Sequence, residues 1–368
     1  MRNKWWGWLV LLLVLWTPFF VAADGPAFTP RVPVLSDHFD GQVYFNLGVP
    51  PEPQTSDTRN RGASQWIWRV LFGDDFPEWP EYHAVPPGPP PVTRAAKGEM
   101  RVTPVGHATA LIQMDGLNLL IDPIWSERCS PVSWAGPKRR QPPGIRFTDL
   151  PPIDAVLVSH NHYDHLDLPT LRGLAEVGVP LAVTPLGNGA LIWGAGISRV
   201  EEVDWWETVS LSPEVTVTCV PAQHFSSRSL WDRNEALWGG FVISGPSGQV
   251  YHAGDTGYGP HFNEIARRFP DIRVALLSIS PYRPVGFSTA SPPPNPRSVH
   301  KAPAEAVQAH LDLGVPLSVA IHYRVFRLGI DGFDEAVRDL AAALKAQGMA
   351  ETEFLAPPLG WAIIPPAR

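Results

Sequence analysis

The stretch Ser159-His160-Asn161-His162-Tyr163-Asp164-His165 places three imidazoles and a carboxylate within six residues. It follows an apolar run, residues 153–158, with the length and composition of a short buried strand. The polar cluster therefore sits where a strand stops and the chain turns. A fold that uses it must bring that strand end to a sheltered place and surround it with more donors. Imidazole and carboxylate at such density suit zinc or a similar transition metal.

Further donors stand at the ends of other strand-like runs. His224 follows 215–220, Asp255 follows 249–252 and His322 follows 317–321. Reach divides the seven between two ions. His160 and His162 alternate along the chain and face one ion, with His224 as the third ligand. Asp164 and His165 turn away and serve a second ion with His322. The two oxygens of Asp255 bridge both. Each ion keeps an open position, the mark of a catalytic rather than a structural site. Two cations about 4 Å apart bring a bridging water to near-neutral pKa and clamp an in-line displacement. A lone histidine at a strand end is ordinarily a hydrogen-bonded residue. The dense cluster, answered by three further strand ends, argues for ligation.

The surrounding pattern is of strands interspersed with helices. Strands are expected at 100–105, 108–114 and 117–122, with Asp115-Gly116 as a hairpin turn, and at 181–184, 215–220, 239–244, 249–252, 273–278 and 317–321. Helices are expected at 168–177, 303–313 and 333–346. This is an α/β (α+β) chain of two sheets covered by helices on the outside. With 44% hydrophobic and only 18% charged residues, a large core is available.

The N-terminus reads as a targeting segment. Arg2 and Lys4 precede an apolar run from Trp5 to Ala23, and Val21-Ala22-Ala23 offers small residues for cleavage. Residues 1–23 are thus expected to be a signal peptide and the protein periplasmic. An uncleaved anchor is the alternative, since the run is almost long enough to span. Residues 24–99 read as an irregular covering segment rich in proline and tryptophan, including Trp66, Trp68 and Trp79, closed by the stiff linker 86–91. Residues 100–368 form the main domain. Ser291-Pro-Pro-Pro-Asn-Pro296 is expected as a surface loop.

The net charge of −7 argues against a nucleic-acid partner, which would want a concentrated basic face. The basic triplet Lys138-Arg139-Arg140 is expected in a short exposed loop. Two cysteines, Cys129 and Cys219, are open to pairing outside the cytoplasm or to burial as thiols. The sequence carries no signal for an oligomeric state.

The ligand motif resembles that of the metallo-β-lactamase superfamily, and within it the branch of N-acyl-phosphatidylethanolamine-hydrolysing phospholipase D. The resemblance rests on Gly106-His107-Ala108-Thr109, Asp122-Pro123-Ile124-Trp125-Ser126, the motif from Ser159 through Asp167, Pro221-Ala222-Gln223-His224-Phe225, Leu237-Trp238-Gly239-Gly240, Gly254-Asp255-Thr256-Gly257 and Ala320-Ile321-His322-Tyr323. Upstream, Ser36-Asp37-His38-Phe39-Asp40-Gly41 is similar to bacterial relatives of that branch. The resemblance implies an αβ/βα sandwich of two mixed sheets flanked by helices. It implies two divalent ions, most simply zinc, and a phospholipid or other small phosphodiester as substrate. A histidine at the place of His300 lies near the substrate in the branch. That makes His300, with Asp164 and Asp255, an expected catalytic residue. Two departures stand out. Arg324 replaces a glycine just after the last ligand, and Pro104 replaces an aromatic residue in the strand before Gly106.

From the residues, Asp122 is expected to orient a liganding imidazole, and His107 to be buried beside the site. His38, His83, His252, His261 and His310 are not expected to ligate. Arg228 and Arg324 are offered as forks for an anionic group. The leading expectation is a metal-dependent phosphodiesterase of phospholipase D type, with hydroxide bridging the metals as nucleophile and possible peripheral contact with a membrane. The same centre would also serve a lactone, ester or amide hydrolase. A metal-binding envelope protein without turnover is the reading from another class.

Overall fold

The computed structural model describes residues 28–48, 77–229, 231–282 and 299–366. The expected leader at 1–23, Trp66, Trp68 and the expected proline-rich loop at 291–296 lie outside them. Two sheets account for the strands. The first is built from β1 (Met100–Gly106), β2 (Thr109–Met114), β3 (Leu117–Ile121), β4 (Ala155–Leu157), β5 (Ala182–Pro185) and β6 (Val200–Val203), paired in that order. The second contains β7 (Thr208–Ser210), β8 (Thr216–Val220), β9 (Gly240–Gly245), β10 (Gly248–His252), β11 (Ile272–Ser278), β12 (Ser318–Ile321) and β13 (Phe354–Leu355), again in chain order. Each sheet starts as an antiparallel meander and ends in parallel strands. In the first, β1 to β3 are antiparallel and β3 to β6 parallel. In the second, β7 to β10 are antiparallel and β10 to β13 parallel.

Parallel pairing requires crossovers, and helices supply all of them except that from β3 to β4, which is a long loop with one short 3-10 turn. The helices are α1 (Leu168–Glu176) and α2 (Gly189–Gly194) in the first half, and α3 (His261–Arg268), α4 (Pro303–Leu313) and α5 (Glu335–Ala346) in the second. Leu111, Leu120, Val156 and Ala182 pack outward against Leu171, Leu174 and Ile192 of the first two helices. Val242, Tyr251, Ala275 and Leu277 pack against Phe262, Ile265, Val307 and Leu340 of the other three. Ile112, Leu119, Leu157, Val217, Phe241, Ile243 and Leu276 fill the space between the sheets. The order of layers is therefore helix, sheet, sheet, helix. Strands covered on both faces carry apolar residues at nearly every position, which is why they read as runs rather than alternations.

The expected strands and the three expected helices are present, with ends shifted by one or two residues. Asp115 and Gly116 both have positive φ, 50° and 83°, as a two-residue hairpin of the mirror-image type requires. Pro104 sits on an edge strand at a register shift, where its missing N–H costs no ladder bond. The structure adds α2, β6, β7, α3 and β13.

One expectation is corrected, and one open alternative is decided. The triplet at 138–140 is not an exposed loop. Arg139 is buried, donates to the carbonyls of Ile124 (2.8 Å) and Ser126 (3.2 Å), and lies over the Phe326 ring. Cys129 and Cys219 do not pair: both are buried free thiols, in separate apolar clusters.

The described part of 24–99 lacks helices and long strands. Residues 36–44 fold into a small bridged turn, and Trp79 packs edge-on against Phe333 while donating to the Asp331 carbonyl. The linker threads between two other backbones. A Cβ on Gly88 would lie 1.9 Å from the carbonyl oxygen of Gly360, which in turn abuts Gly144, so only glycines permit that crossing.

Candidate metal centre

The sheet order decides which chain ends meet. β1 and β3 are both antiparallel to β2, and β4 runs parallel to β3, so all three end on one rim. His107 follows β1, Asp122 follows β3, and the 159–165 motif follows β4. In the second sheet β8 and β10 are both antiparallel to β9, and β12 follows β10 in direction. His224, Asp255 and His322 thus end on one rim as well. The two rims meet at a seam: Gly239 N–H donates to the Ser159 carbonyl (3.0 Å). Gly254, at φ 58°, has no room for a Cβ because it would sit 2.9 Å from the Ser159 side chain.

Four non-glycine residues at these strand ends hold left-handed backbone: His107 (58°), Asp122 (44°), His322 (65°) and Arg324 (60°). Each costs about 1–2 kcal/mol relative to a right-handed conformation. Such strain gathers where the surrounding structure overrides local preference to aim a side chain.

Two groups of donors result. In one, His160 Nε2 lies 2.9 Å from His162 Nδ1, which lies 3.2 Å from His224 Nε2. In the other, Asp164 Oδ2 lies 3.4 Å from His165 Nε2 and 3.2 Å from His322 Nε2. Asp255 Oδ2 stands 3.2 Å from His165, 3.1 Å from His322 and 3.9 Å from His224. These spacings are close to the edge of a tetrahedron with bonds of about 2.0–2.1 Å, roughly 3.3 Å. All seven expected ligands converge. His107 joins them, with Nε2 2.7 Å from Asp164 Oδ2.

Hydrogen bonds to the far ring nitrogens decide what the near ones present. The Val299 carbonyl can only accept, so His224 Nδ1 carries the proton (2.8 Å) and Nε2 turns a lone pair inward. His165 Nδ1 donates to Asp122 (2.8 Å). His160 Nδ1 donates to Ser159 Oγ (2.9 Å), which donates to Asp122 (2.7 Å). Asp122 also accepts from Ser159 N–H (2.7 Å). The expected orienting role of Asp122 thus extends to one imidazole of each group. Lone pairs of His160 and His224 aimed at a common point repel unless a cation stands there. Asp255 Oδ1, buried without a hydrogen bond, asks for the same. The donors therefore fit divalent metal.

Charge is distributed unevenly. Burial, reinforced by neighbouring imidazoles, holds His160 well below the ordinary histidine range, and burial brings His162 and His224 to about 3. These three are neutral, as ligands must be. Burial opposes charge on His165 and His322 too, but Asp255 and Asp164 overcome it. His165 is raised well above its usual value and His322 to about 9. Against burial, the same partners keep Asp164 and Asp255 ionised, far below the usual carboxylate range. In the second group the two carboxylates draw the two imidazoles toward their protonated form, and a bound metal would compete with those protons.

His300 is near, its Nδ1 3.8 Å from Asp255 Oδ2 and its ring 5.0 Å from that of His224. His162 and His300, only partly buried, mark the open side. The two arginines are turned elsewhere. Arg228 Nη1 donates to the carbonyls of Asn161 (2.8 Å) and Leu166 (2.9 Å), and its guanidinium lies 4.1 Å from the Tyr163 ring centre, so it braces the motif loop. Arg324 Nη2 pairs with Asp334 (2.5 Å). His38, His252, His261 and His310 bond to Asp204, Ala108, Thr256 and Ser318, outside the donor groups. His83 packs on Phe333. The Val299 carbonyl and Lys301, buried with its ammonium on Ser278 Oγ (2.9 Å) and the Thr256 carbonyl (3.3 Å), were not legible as parts of the site. A backbone carbonyl has no sequence signal, and a lone lysine reads as surface.

Residues 117–323 match a family described as a beta-lactamase superfamily domain. An uncharacterized protein of Mycobacterium tuberculosis is 39% identical over 336 residues, 90% of this chain and 86% of that one. N-acyl-phosphatidylethanolamine-hydrolyzing phospholipase D 1 of Caenorhabditis elegans is 32% identical over 268 residues, 70% of this chain and 73% of that one. Among solved structures, an isothiocyanate hydrolase from Delia radicum gut bacteria superposes with a TM-score of 0.58 at 21% identity, covering 73% of this chain and 100% of the other, a likeness of fold.

Proposed function

The chain belongs to the metallo-β-lactamase superfamily of metal-dependent hydrolases, and on that premise we propose that it cleaves a phosphodiester of the phospholipase D type. Its substrate would be a phospholipid resembling N-acyl-phosphatidylethanolamine. One observation carries the dinuclear part of this reading: Asp255 Oδ2 lies within 3.9 Å of donors from both groups. His160, His162 and His224 would hold one ion, Asp164, His165 and His322 the other, with Asp255 between them. Zinc suits this all-nitrogen and oxygen set. Two bound divalent ions supply Lewis acidity and water activated near neutral pH.

The chain's own residues do the rest. Asp122 and the Val299 carbonyl hold the imidazoles in their ligating tautomer. The left-handed turns at His107 and His322 aim the second group. His300, beside Asp255 on the open side, is kept neutral by burial, with a pKa of about 3, and would orient the phosphate through its ring N–H. Arg228 steadies the motif loop rather than meeting phosphate. Arg324 is held by Asp334 and is turned away from the donors. The C. elegans relative supports the phospholipid class. The leader at 1–23 supports action outside the cytoplasm, where such lipids are met.

The test is hydrolysis of N-acyl-phosphatidylethanolamine by the purified chain, with chelator and metal add-back. Metal-dependent release of phosphatidic acid is the expected result. No release from protein carrying two metals would overturn the phosphodiester reading and direct the search to lactones, esters and amides. Protein that takes up no metal would overturn the centre itself.

A further inference from the structure

The segment before residue 100 does more than cover the core. Asn46 meets His224 on both backbone groups: its side-chain amide donates from Nδ2 to the His224 carbonyl (3.0 Å), and its Oδ1 accepts the His224 N–H (3.0 Å). The two residues are 178 positions apart. The Asn46 oxygen also takes the indole N–H of Trp238 (3.2 Å), and that indole donates to the Ala222 carbonyl (3.0 Å), two residues before His224. A planar amide that pairs with both N–H and C=O of one residue imitates a neighbouring strand. His224 stands just past the end of β8, where no ladder serves its backbone. Asn46 takes the ladder's place.

We propose that Asn46 is a positioning residue for the metal centre, rigidly presenting His224 to the three-histidine group. This rests on the two-metal reading above. The imidazole of His224 is fixed at two points. Val299 holds the ring through Nδ1, and Asn46 holds the backbone from which the ring projects. His162, the partly open ligand of that group, takes its place from the first-sheet turn. Asn46 is itself anchored. Tyr44 N–H donates to the Asn234 carbonyl (2.8 Å), and Asn234 N–H to the Ser226 carbonyl (2.8 Å), so the same segment clasps the loop that follows His224. The 46-residue position lies outside 117–323, the span that matches the family. The centre of this protein is therefore completed by chain that the family match does not include.

The experiment is cobalt(II) titration of the purified, metal-stripped chain and of two variants, read by visible absorption, with chelator competition for affinity and thermal melting of the metal-free forms. The unaltered chain should bind two ions. Asn46→Ala should weaken one of them by about 10–100-fold, the range seen when a ligand loses its outer partner. It should change the cobalt spectrum of that site and leave the other ion in place. Asn46→Asp keeps the acceptor for His224 N–H and Trp238 but loses the donor, and should fall between the two. If Asn46→Ala fails to fold, Asn46→Asp decides alone by the same readings. Unchanged affinity and spectrum at both sites, whatever the melting temperature, would overturn the proposal. So would equal weakening of both ions. Failure of the unaltered chain to bind two ions would instead overturn the two-metal reading.

Discussion

The two halves of the molecule follow one plan and contribute to the site in opposite ways. Each is a sheet that begins antiparallel and ends parallel, backed by crossover helices. The first half delivers His160, His162, Asp164 and His165 from a single turn after β4. The second delivers His224, Asp255 and His322 from three strands, β8, β10 and β12. Spacing explains their roles. Neighbouring strands lie about 4.8 Å apart, so alternate strand ends are roughly 10 Å apart. β10 stands midway between β8 and β12, and its residue alone can reach both sides. Asp255 is shared because of its place in the sheet. The four residues of the first half are divided by alternation along one turn.

The sharpest break of this comparison is Asp255→Ala. Turnover should fall by more than the roughly 100-fold that loss of an outer partner costs, both ions should loosen, and circular dichroism should stay native. Normal turnover with two metals bound would end the shared-ligand account. Next comes Asp122→Asn. Because Asp122 reaches His165 directly and His160 through Ser159, both ions should weaken by about 10–100-fold in a chelator competition. Weakening of a single ion would show that the first-half turn does not act as one unit. A smaller effect is expected from His300→Ala. Turnover should fall by about 100-fold, the low end for a lost hydrogen-bond donor at the reacting atoms, with metal content unchanged by atomic absorption. Loss of an ion would make His300 a ligand of the second half.

The smallest effect concerns the bridged turn at 36–44, which meets the junction of the halves between β6 and β7. His38 lies between Asp37 and Asp204, both at 2.7 Å, and stacks on Trp205. Burial opposes its charge, but the two carboxylates raise its pKa above the ordinary value. The folded chain thus binds that proton more tightly than the unfolded one. The stabilisation is full below about pH 6.5 and is lost as pH rises through the elevated folded value. Thermal melting of the chain and of His38→Gln should differ at pH 5.5, by no more than about 1.5–3 kcal/mol, and the difference should shrink as pH rises through the elevated folded value. A difference that grows with pH would reverse the assignment.

Much of the fold was legible because double-sided burial makes strands conspicuous. What escaped was short or marginal. β6 reads Val-Glu-Glu-Val on a sheet edge, α2 has six residues with a glycine at each end, and α3 is mostly polar. The arginines were misread for a related reason. Arg139 and Arg228 look like surface charge until the carbonyls they cap are brought near by the turns around them.

The sequence by itself determined the ligand types, their attachment to strand ends and the first-half turn, because those depend on neighbours in the chain. It also determined the layered class, since apolar runs of that length must be covered on both faces. Only the tertiary structure decided that Asp122 serves one imidazole of each group, that the Val299 carbonyl sets the His224 tautomer, and that Asn46 grips His224. Those facts depend on strand order and on where distant loops cross, and a hydrogen bond between residues 178 positions apart leaves no periodic trace in the chain.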